Sequence, residues 1–208
     1  MRPNPTEPRR LRSCPDPRHP EQGDPLPLEQ RDDDELMQLA ALGVERAFEL
    51  LIRRHQRALR GYCARLCGPA GADDVAQEAL LTVWNLRGSY EARGHFRAYL
   101  FTIAERRCMN AQRSRRRASA REERAGHEER DPSHTPLDEL LASERQRKLY
   151  ESVNKLAREQ RRAILLHYAG GLDYEEIALV TERPAATIRT RVFQGLLRLR
   201  KLAPRGKP

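Results

Sequence analysis

The sequence predicts an all-α protein: two small helical domains, a flexible linker between them and a disordered N-terminal extension. Through most of the chain, apolar residues recur every three or four positions, as on one face of a helix. No segment alternates apolar and polar residues as a half-buried strand does. A polar segment rich in arginine and glutamate interrupts the helical periodicity and divides the helices into two groups.

Composition limits the size of each core and suggests a class of partner. Only 38% of the 208 residues are hydrophobic and 5% are aromatic, so each core must be small. Lysine and arginine number 39 against 30 aspartates and glutamates, a net charge of +9 that favours a polyanion. Nucleic acid is the first candidate and an anionic membrane surface the second. No run of about 18 apolar residues is present for a membrane span, and no secretory signal is apparent, so we expect a cytoplasmic protein.

The N-terminal extension, residues 1–30, holds most of the prolines and few apolar residues, and is predicted to be disordered. The first domain is predicted over residues 31–113. Its first helix begins at "DDDELMQLAALG", where Asp32 and its neighbours can cap the helix. A long amphipathic helix follows and ends at Gly68. The last two helices, "ADDVAQEALLTVW" and "FRAYLFTIAERRCMNAQRSRRR", flank the polar loop "NLRGSYEARGH".

The flexible linker is predicted over residues 114–136 and the second domain over residues 137–203. Two glycines at 170–171 end a helix, and Asp173 with Glu176 forms a capping box that begins the next one. "YEEIALV" and "ATIRTRVFQGLLRLRKL" are then separated by only a short turn. This spacing predicts a helix-turn-helix.

The third helix of the first domain has one acidic face. A rotation of 100° per residue puts its apolar residues on the opposite side. A solvated helix face is the ordinary explanation for such a pattern, although a leucine beside the carboxylates favours a contact surface. The residues of this acidic face are Asp74, Gln77, Glu78 and Leu81.

A second candidate surface combines the polar loop with the fourth helix. Guanidinium groups neutralise phosphates and aromatic rings stack on unpaired bases, so the surface suits melted DNA. A solvated, basic helix end explains the same residues equally well. The candidate residues are Arg87, Tyr90, Tyr99, Arg106, Asn110 and Arg113.

The second helix of the helix-turn-helix is the third candidate surface. Arginine can bind guanine and glutamine can bind adenine in the major groove, if the preceding helix braces the reading helix. Ile188, Val192 and Leu196 are predicted to face inward. A helical hairpin that binds protein is the alternative. The predicted outward residues are Thr187, Arg189, Thr190, Arg191, Gln194 and Arg198.

No grouping of catalytic residues and no phosphate-binding loop is found, so neither an enzyme nor a cofactor is expected. Cys63 and Cys67 lie one helical turn apart, with His55 two turns earlier, which is compatible with a metal or redox site. Buried small side chains are the simpler interpretation of the two cysteines.

Taken together, these motifs resemble the sigma factors of bacterial RNA polymerase, and specifically the small extracytoplasmic-function group. The resemblance covers about Asp34 to Leu202. "DDVAQEALLTVW" resembles the family's polymerase-binding segment, and "HFRAYLFTIAERRCMNAQRSRRR" resembles its promoter-melting helix. "LDYEEIALV" and "TIRTRVFQGLLRLRK" resemble the domain that reads the upstream promoter element.

The resemblance implies a role for each surface. The acidic face would dock on the clamp helices of the polymerase's largest subunit, and the second domain would contact the flap of the second large subunit. The second candidate surface would bind the -10 element, with the 85–95 loop capturing a flipped base. The helix-turn-helix would bind the -35 element. Promoter DNA and core polymerase are thus the implied partners, and an anti-sigma protein often restrains members of the family.

Two departures from the family pattern concern DNA specificity. Arg106 and Asn110 stand where the melting helix commonly has asparagine and aspartate, and Glu182-Arg183-Pro184 replaces a usual Gly-Ile-Ser at the helix-turn-helix corner. Glu182 must then adopt the left-handed conformation without the freedom of glycine. An autonomous helix-turn-helix repressor or activator is the competing hypothesis; it would need neither the acidic face nor the melting surface.

Overall fold

The computed structural model describes residues 26–69, 71–124 and 144–202. Over these residues the chain is helical and contains no strand, which confirms the all-α prediction. Two short 3-10 turns, Leu28–Gln30 and Arg87–Ser89, accompany the α-helices. The helices are α1 (Asp33–Ala41), α2 (Glu45–Cys67), α3 (Ala72–Asn85), α4 (Phe96–Arg124), α5 (Glu144–Asn154), α6 (Arg158–Ile164), α7 (Tyr174–Thr181) and α8 (Ala185–Leu202).

The first domain packs α2, α3 and α4 against one another, with α1 beside α2. Leu36, Leu51, Leu59, Val83 and Leu100 are almost completely buried at the centre of this bundle. These residues occupy the apolar positions of four amphipathic helices, so their burial supplies most of the driving force for the domain.

The start of α1 is fixed to α2 by a small polar cluster around Asp33. Arg54 Nη1 donates to Asp33 Oδ1 at 2.8 Å, and His55 Nε2 lies 2.7 Å from Asp33 Oδ2. Partial burial alone would raise the pKa of Asp33, but the hydrogen bonds from His55 and Arg54 lower it below its ordinary value. The Asp33 carboxylate therefore stabilises the folded state.

The second domain contains α5 to α8. Helix α6 continues as a wider π-helical turn over Leu165–Ala169 before the chain enters the helix-turn-helix. The predicted capping box is present, because Glu176 N donates to Asp173 Oδ1 at 2.7 Å and Asp173 N donates to Glu176 Oε2 at 2.9 Å. Glu182 adopts φ 54° and ψ 43° between α7 and α8, which confirms the predicted left-handed corner.

One residue predicted to face the core of the second domain faces outward. Ile188 and Val192 are buried as expected, but the next buried position on α8 is Gly195, and Leu196 is 39% exposed. A Cβ at Gly195 would lie 2.5 Å from Ile164 Cδ1, so α8 approaches α6 closely there. Leu196 is the next residue after Gly195, so its side chain points in a different direction around the helix axis and does not reach α6 at this contact.

Two predicted boundaries differ from the structure. Helix α4 extends to Arg124, so residues 114–124 of the predicted linker are helical, and residues 125–136 lie outside the described part. Alanine and arginine are good helix formers, which favours continuing a helix that is already nucleated. At the other end, residues 1–25 lie outside the described part, but Glu29 in the 3-10 turn is held by Arg54, whose Nη2 donates to the Glu29 carbonyl at 2.8 Å.

The two domains are packed against each other, which the sequence did not predict. Phe101 on α4 is fully buried, and a Cβ at Gly170 would lie 2.8 Å from its Cε1 atom. The Arg162 guanidinium on α6 donates to both oxygens of Glu105 on α4, each at 2.5 Å. Burial alone would lower the pKa of Arg162, but the Glu105 carboxylate raises it. The contact therefore combines an apolar centre with a nearly buried ion pair.

The left-handed corner can be tested by replacing Glu182 with glycine. Glu182→Gly should stabilise the second domain by about 0.5–1 kcal/mol, because glycine adopts positive φ without the steric cost of a Cβ. Urea denaturation followed by circular dichroism measures the change. Arg183→Gly is the matched control, since Arg183 lacks a positive φ, and it should not stabilise. Equal effects of the two variants would contradict the corner geometry.

The Asp33 cluster predicts a specific pH dependence. Because the folded pKa of Asp33 is depressed below 3.8, its stabilisation is complete above that pH and is lost as pH falls through the folded pKa. Asp33→Asn should therefore lower the free energy of unfolding by about 1–3 kcal/mol at pH 7, and the difference from wild type should shrink below about pH 4. Denaturation midpoints at several pH values test this.

Asp73→Asn is the control for the Asp33 variant. Asp73 also pairs with an arginine, Arg60, but both side chains are more than half exposed. Its loss should be smaller, since solvent screens exposed pairs. An Asp33→Asn effect that stays constant down to pH 3 would show that the carboxylate charge is not the cause.

Candidate functional site

The acidic face on α3 is exposed along its whole length. Asp74, Gln77, Glu78 and Leu81 all point to solvent, and the side chain of Leu81 is 54% exposed. Val75, Ala76, Ala79 and Val83 are buried on the opposite side of the helix, as the helical periodicity predicted. The domain core thus orients the acidic face outward.

Helix α4 supports one edge of this face. Arg107 Nη1 lies 3.7 Å from Glu78 Oε2, and Arg107 Nη2 donates to Thr82 Oγ1 at 2.8 Å. The Glu78 side chain is still 59% exposed, so this contact leaves its carboxylate available to a partner. Asp74 and Leu81 complete a surface with negative charge at one end and an apolar group at the other.

Two of the six residues predicted to contact the -10 element, Tyr90 and Tyr99, lie in an aromatic cluster where the loop meets the start of α4. The rings of Tyr90 and Tyr99 are 5.0 Å apart, and Phe96 packs edge-on against Tyr90 at 6.0 Å. The Tyr90 hydroxyl donates to the Asp34 carboxylate. Burial, and then this hydrogen bond, raise the pKa of Tyr90, so it stays a neutral donor. Arg87 belongs to the same region.

Arg87 is held against Trp84. Its guanidinium lies 3.9 Å from the centroid of the indole ring, and its Nη1 donates to the Trp84 carbonyl at 2.8 Å. The other three predicted residues, Arg106, Asn110 and Arg113, are exposed on α4. The structure therefore divides the predicted surface into a half-buried aromatic cluster and an exposed polar stripe.

The reading helix, α8, presents an exposed polar face. Arg189, Thr190, Gln194 and Arg198 are exposed, and Thr187 is half-buried. The guanidinium of Arg189 lies 5.4 Å from the ring centroid of Tyr174 at the start of α7, a cation–π contact that restricts its side chain. The preceding helix thus braces a residue of the reading helix.

Arg191 differs from the other predicted residues of α8. Its Nη1 donates to Glu159 Oε2 on α6 at 3.0 Å, and its side chain is only 23% exposed. The sequence interpretation also missed Phe193, which is 61% exposed beside Gln194. Its position three residues after Thr190 was the signal that it lies on the outward face.

The three cysteines in the described part of the chain do not form a metal site. Cys63, Cys67 and Cys108 are buried and unpaired by disulfides, and His55 pairs with Asp33 instead. Contact between the Cys67 and Cys108 thiols raises the pKa of Cys67, and burial raises it further. Within the described residues, no group of three or more His, Cys, Asp or Glu side chains is arranged to hold a metal ion. The three thiols therefore pack as small apolar groups.

Comparison with known proteins identifies both halves of the chain. The family model for sigma-70 region 2 matches residues 51–118, and that for sigma-70 region 4 matches residues 146–199. The chain is 33% identical to the ECF RNA polymerase sigma factor SigK of Mycobacterium sp. (strain JLS) over 82% of this chain and 90% of that protein. This chain belongs to the extracytoplasmic-function group of the sigma-70 family.

Other comparisons agree with this ECF sigma factor assignment. The ECF RNA polymerase sigma-E factor of Haemophilus influenzae is 29% identical over 80% of this chain and 92% of that protein. The fold matches CnrH in complex with the cytosolic domain of CnrY, with a TM-score of 0.64 and 23% identity, over 82% of this chain and 96% of that chain. It also matches RpoE from Bartonella quintana in complex with the anti-sigma factor NepR, with a TM-score of 0.59, 26% identity, and coverage of 74% and 95%.

Region 2 of this sigma factor includes α3 and most of α4, and region 4 includes the helix-turn-helix. The exposed surfaces therefore fall on both characteristic regions of the family, which does not favour the autonomous repressor. In the described part of the chain, none of the helices is long and apolar enough to cross a membrane.

Proposed function

We propose that this ECF sigma factor binds core RNA polymerase, directs it to promoters with particular -10 and -35 elements, and promotes melting of the DNA. The observation that carries the proposal is the outward acidic face on α3, in a chain whose net charge is +9. Such a face is unsuited to DNA, whereas both arginine-bearing surfaces suit it. This role would place the protein in the cytoplasm.

The acidic face is proposed to dock on the clamp helices of the largest polymerase subunit. Its carboxylates would meet basic residues there, and this complementarity would fix register and speed association more than it adds affinity. Leu81 would supply an apolar contact next to these charges. On the second domain, exposed Leu149, Tyr150 and Leu197 offer apolar area to the polymerase flap.

The loop and α4 are proposed to bind the -10 element. Arg106, Asn110 and Arg113 are free to lie along the phosphates and bases of the melted strand. The rings of Tyr90 and Tyr99 offer faces on which an unpaired base can stack, worth about 1–3 kcal/mol per base. Because Tyr90 is held by Asp34, this platform is ordered before DNA arrives.

Helix α8 is proposed to read the -35 element, with unequal roles for its arginines. Arg189 is exposed and braced by Tyr174, so it can reach a guanine with little loss of side-chain freedom. Arg191 is neutralised by Glu159 and would hold the reading helix on α6 rather than touch bases. Phe193 would add an apolar contact, for example to a thymine methyl.

Binding both elements requires the two domains to separate. Elements named -35 and -10 lie about 25 base pairs apart, which is about 85 Å along B-form DNA. In the packed arrangement, Arg97 on α4 lies 3.6 Å from Glu176 on α7, within the helix-turn-helix. The helices that read the two elements are thus far too close together, and attachment to polymerase at two points would hold the domains apart.

An anti-sigma protein is the remaining proposed partner. Solved structures with similar folds include CnrH in complex with the cytosolic domain of CnrY, and the sigma factor RpoE in complex with the anti-sigma factor NepR. A protein that contacts both domains at once would favour the packed arrangement and oppose binding to a promoter.

A reconstituted reaction tests the proposed function. Core polymerase with the purified chain should start transcripts on selected genomic fragments. Asp74→Arg with Glu78→Arg should abolish co-elution with core polymerase and reduce transcription at least tenfold, because both charges would then oppose a basic partner. Size-exclusion chromatography and transcript yield are the measurements.

The control for this charge reversal is Glu45→Arg with Glu49→Arg. These two carboxylates are also exposed, four residues apart and at the start of a helix, so the change in net charge and spacing is the same. The control should still co-elute and transcribe. If the α3 variant retains binding, or both variants lose it, the α3 docking surface is wrong.

The division of roles on α8 predicts different effects on promoter choice. Arg189→Ala should lower holoenzyme affinity for the -35 element by about 1–3 kcal/mol and relax preference at one base pair. Arg191→Ala should leave base preference unchanged and chiefly weaken the packing of α8 on α6. Competition between promoters with single -35 substitutions measures the preference. A change in base preference with Arg191→Ala would reverse the assignment.

A further inference from the structure

A cleft of about 350 Å³ lies where the two domains meet, between α4 of the first and α6 of the second. It is separate from the acidic face and from the outward side of α8. The charged and polar groups on its walls come from both domains. Its principal lining residues are Glu105, Met109, Arg113, Arg158, Arg161 and Arg162.

The charges on this cleft are unbalanced. Glu105 is the only carboxylate among the lining residues, and Arg162 already binds both of its oxygens. Two other arginines contact neutral groups. Arg158 Nη2 lies 3.7 Å from Met109 Sδ, and Arg161 Nη1 lies 3.3 Å from Asn154 Oδ1. With Arg113, three arginine side chains thus line one cleft whose single lining carboxylate, Glu105, is already bound by Arg162.

We propose that this cleft binds an oligophosphate, meaning two or more linked phosphate groups, either free or attached to a nucleoside. The planar donors of arginine match phosphate oxygens in a bidentate way. Linked phosphates concentrate several negative charges within a few ångströms, which matches a small cleft lined by three arginines without a carboxylate partner among the described residues. The volume is within the range of small-molecule sites, roughly 300–1,000 Å³.

The cleft does not suit duplex DNA, because a double helix is too wide to enter it. A melted strand bound along α4 in the promoter complex would not contact Arg158 and Arg161, because the second domain must move away from α4 in that complex. An acidic peptide is less suitable, because its charges are spread along an extended backbone. Peptide binding is nevertheless an outcome that the test must distinguish.

Because the cleft lies between the two domains, a bound ligand would affect how the domains are arranged. Arg113 belongs to the first domain, and Arg158 and Arg161 belong to the second. A ligand bound to all three would favour the packed arrangement by its differential affinity. It would therefore oppose separation of the domains and lower initiation; this regulatory part, unlike the binding itself, rests on the proposed function.

The binding test uses the full chain and inorganic triphosphate, without divalent cations and at constant ionic strength adjusted with NaCl. Thermal denaturation should show a saturable stabilisation. Arg158→Gln with Arg161→Gln should weaken the apparent affinity at least tenfold. Arg53→Gln with Arg57→Gln, which removes two exposed arginines of α2, should retain it. Equal weakening in both double variants, or no saturation in the wild type, would overturn the proposal.

Further ligands identify the source of the phosphates. ATP and GTP binding more tightly than triphosphate would indicate a nucleotide, whereas equal affinity would indicate a free oligophosphate. Binding of a glutamate-rich peptide at least tenfold tighter than triphosphate, lost in the same double variant, would overturn the oligophosphate in favour of a protein partner. Circular dichroism checks that the variants fold, and single Arg161→Gln provides a milder change.

The regulatory part has a separate readout. Energy transfer between dyes on the two domains should rise with triphosphate in the wild type and not in the Arg158/Arg161 variant. In reconstituted transcription, triphosphate should reduce initiation by the wild type more than by this variant. Saturable binding without any transcript from the free chain and polymerase would reject the proposed function alone; transcription without saturable binding would reject the cleft alone.

Discussion

The alignment of the two domains depends on one interaction, the ion pair between Glu105 and Arg162 at their contact. Only 7% of the Glu105 side chain is exposed, so both charges have lost much of their hydration. A buried pair of this kind adds little net stability, because desolvation offsets most of the Coulomb attraction. It does penalise any alignment that leaves either charge unpaired. The apolar contacts of Phe101 therefore hold the two domains together, and the ion pair fixes their alignment relative to each other.

The same contact is suited to opening. When the domains separate, Glu105 and Arg162 recover their hydration, so the ion pair does not strongly resist the change. The Tyr62 hydroxyl is buried and makes no hydrogen bond with a described residue; such a group costs about 1–3 kcal/mol, and water can satisfy it in the open form. Opposing these gains is the exposure of Phe101 and of the apolar residues around it, each worth about 1.5–3 kcal/mol. The balance is one that binding to a large partner can reverse.

Local features of the sequence predicted local features of the structure. The N-cap at Asp32, the capping box of Asp173 and Glu176, the left-handed Glu182 and the outward acidic face depend on residues within one or two helical turns, so their patterns were sufficient. The features that the sequence did not predict have non-local causes. Arg191 is sequestered by Glu159, 32 residues away, and the domains are joined through a pair 57 residues apart. Leu196 is displaced from the core by the close approach of two helices at Gly195. No pattern along a single helix records which other helix will lie against it.

The contact between the two domains fixes the distance between the two surfaces proposed to bind DNA rather than access to them. Arg106 and Asn110 on α4, and Arg189 and Gln194 on α8, stay exposed while the domains are in contact. On α4, the residues that join the domains, Phe101 and Glu105, are buried on another side of the helix. Each surface could therefore touch DNA weakly alone, but the two could not engage one promoter together, and the gain from linked binding would be lost. Under the proposed function, a fixed short distance between the two surfaces would thus be sufficient to prevent promoter binding, while Arg106, Asn110, Arg189 and Gln194 stay exposed.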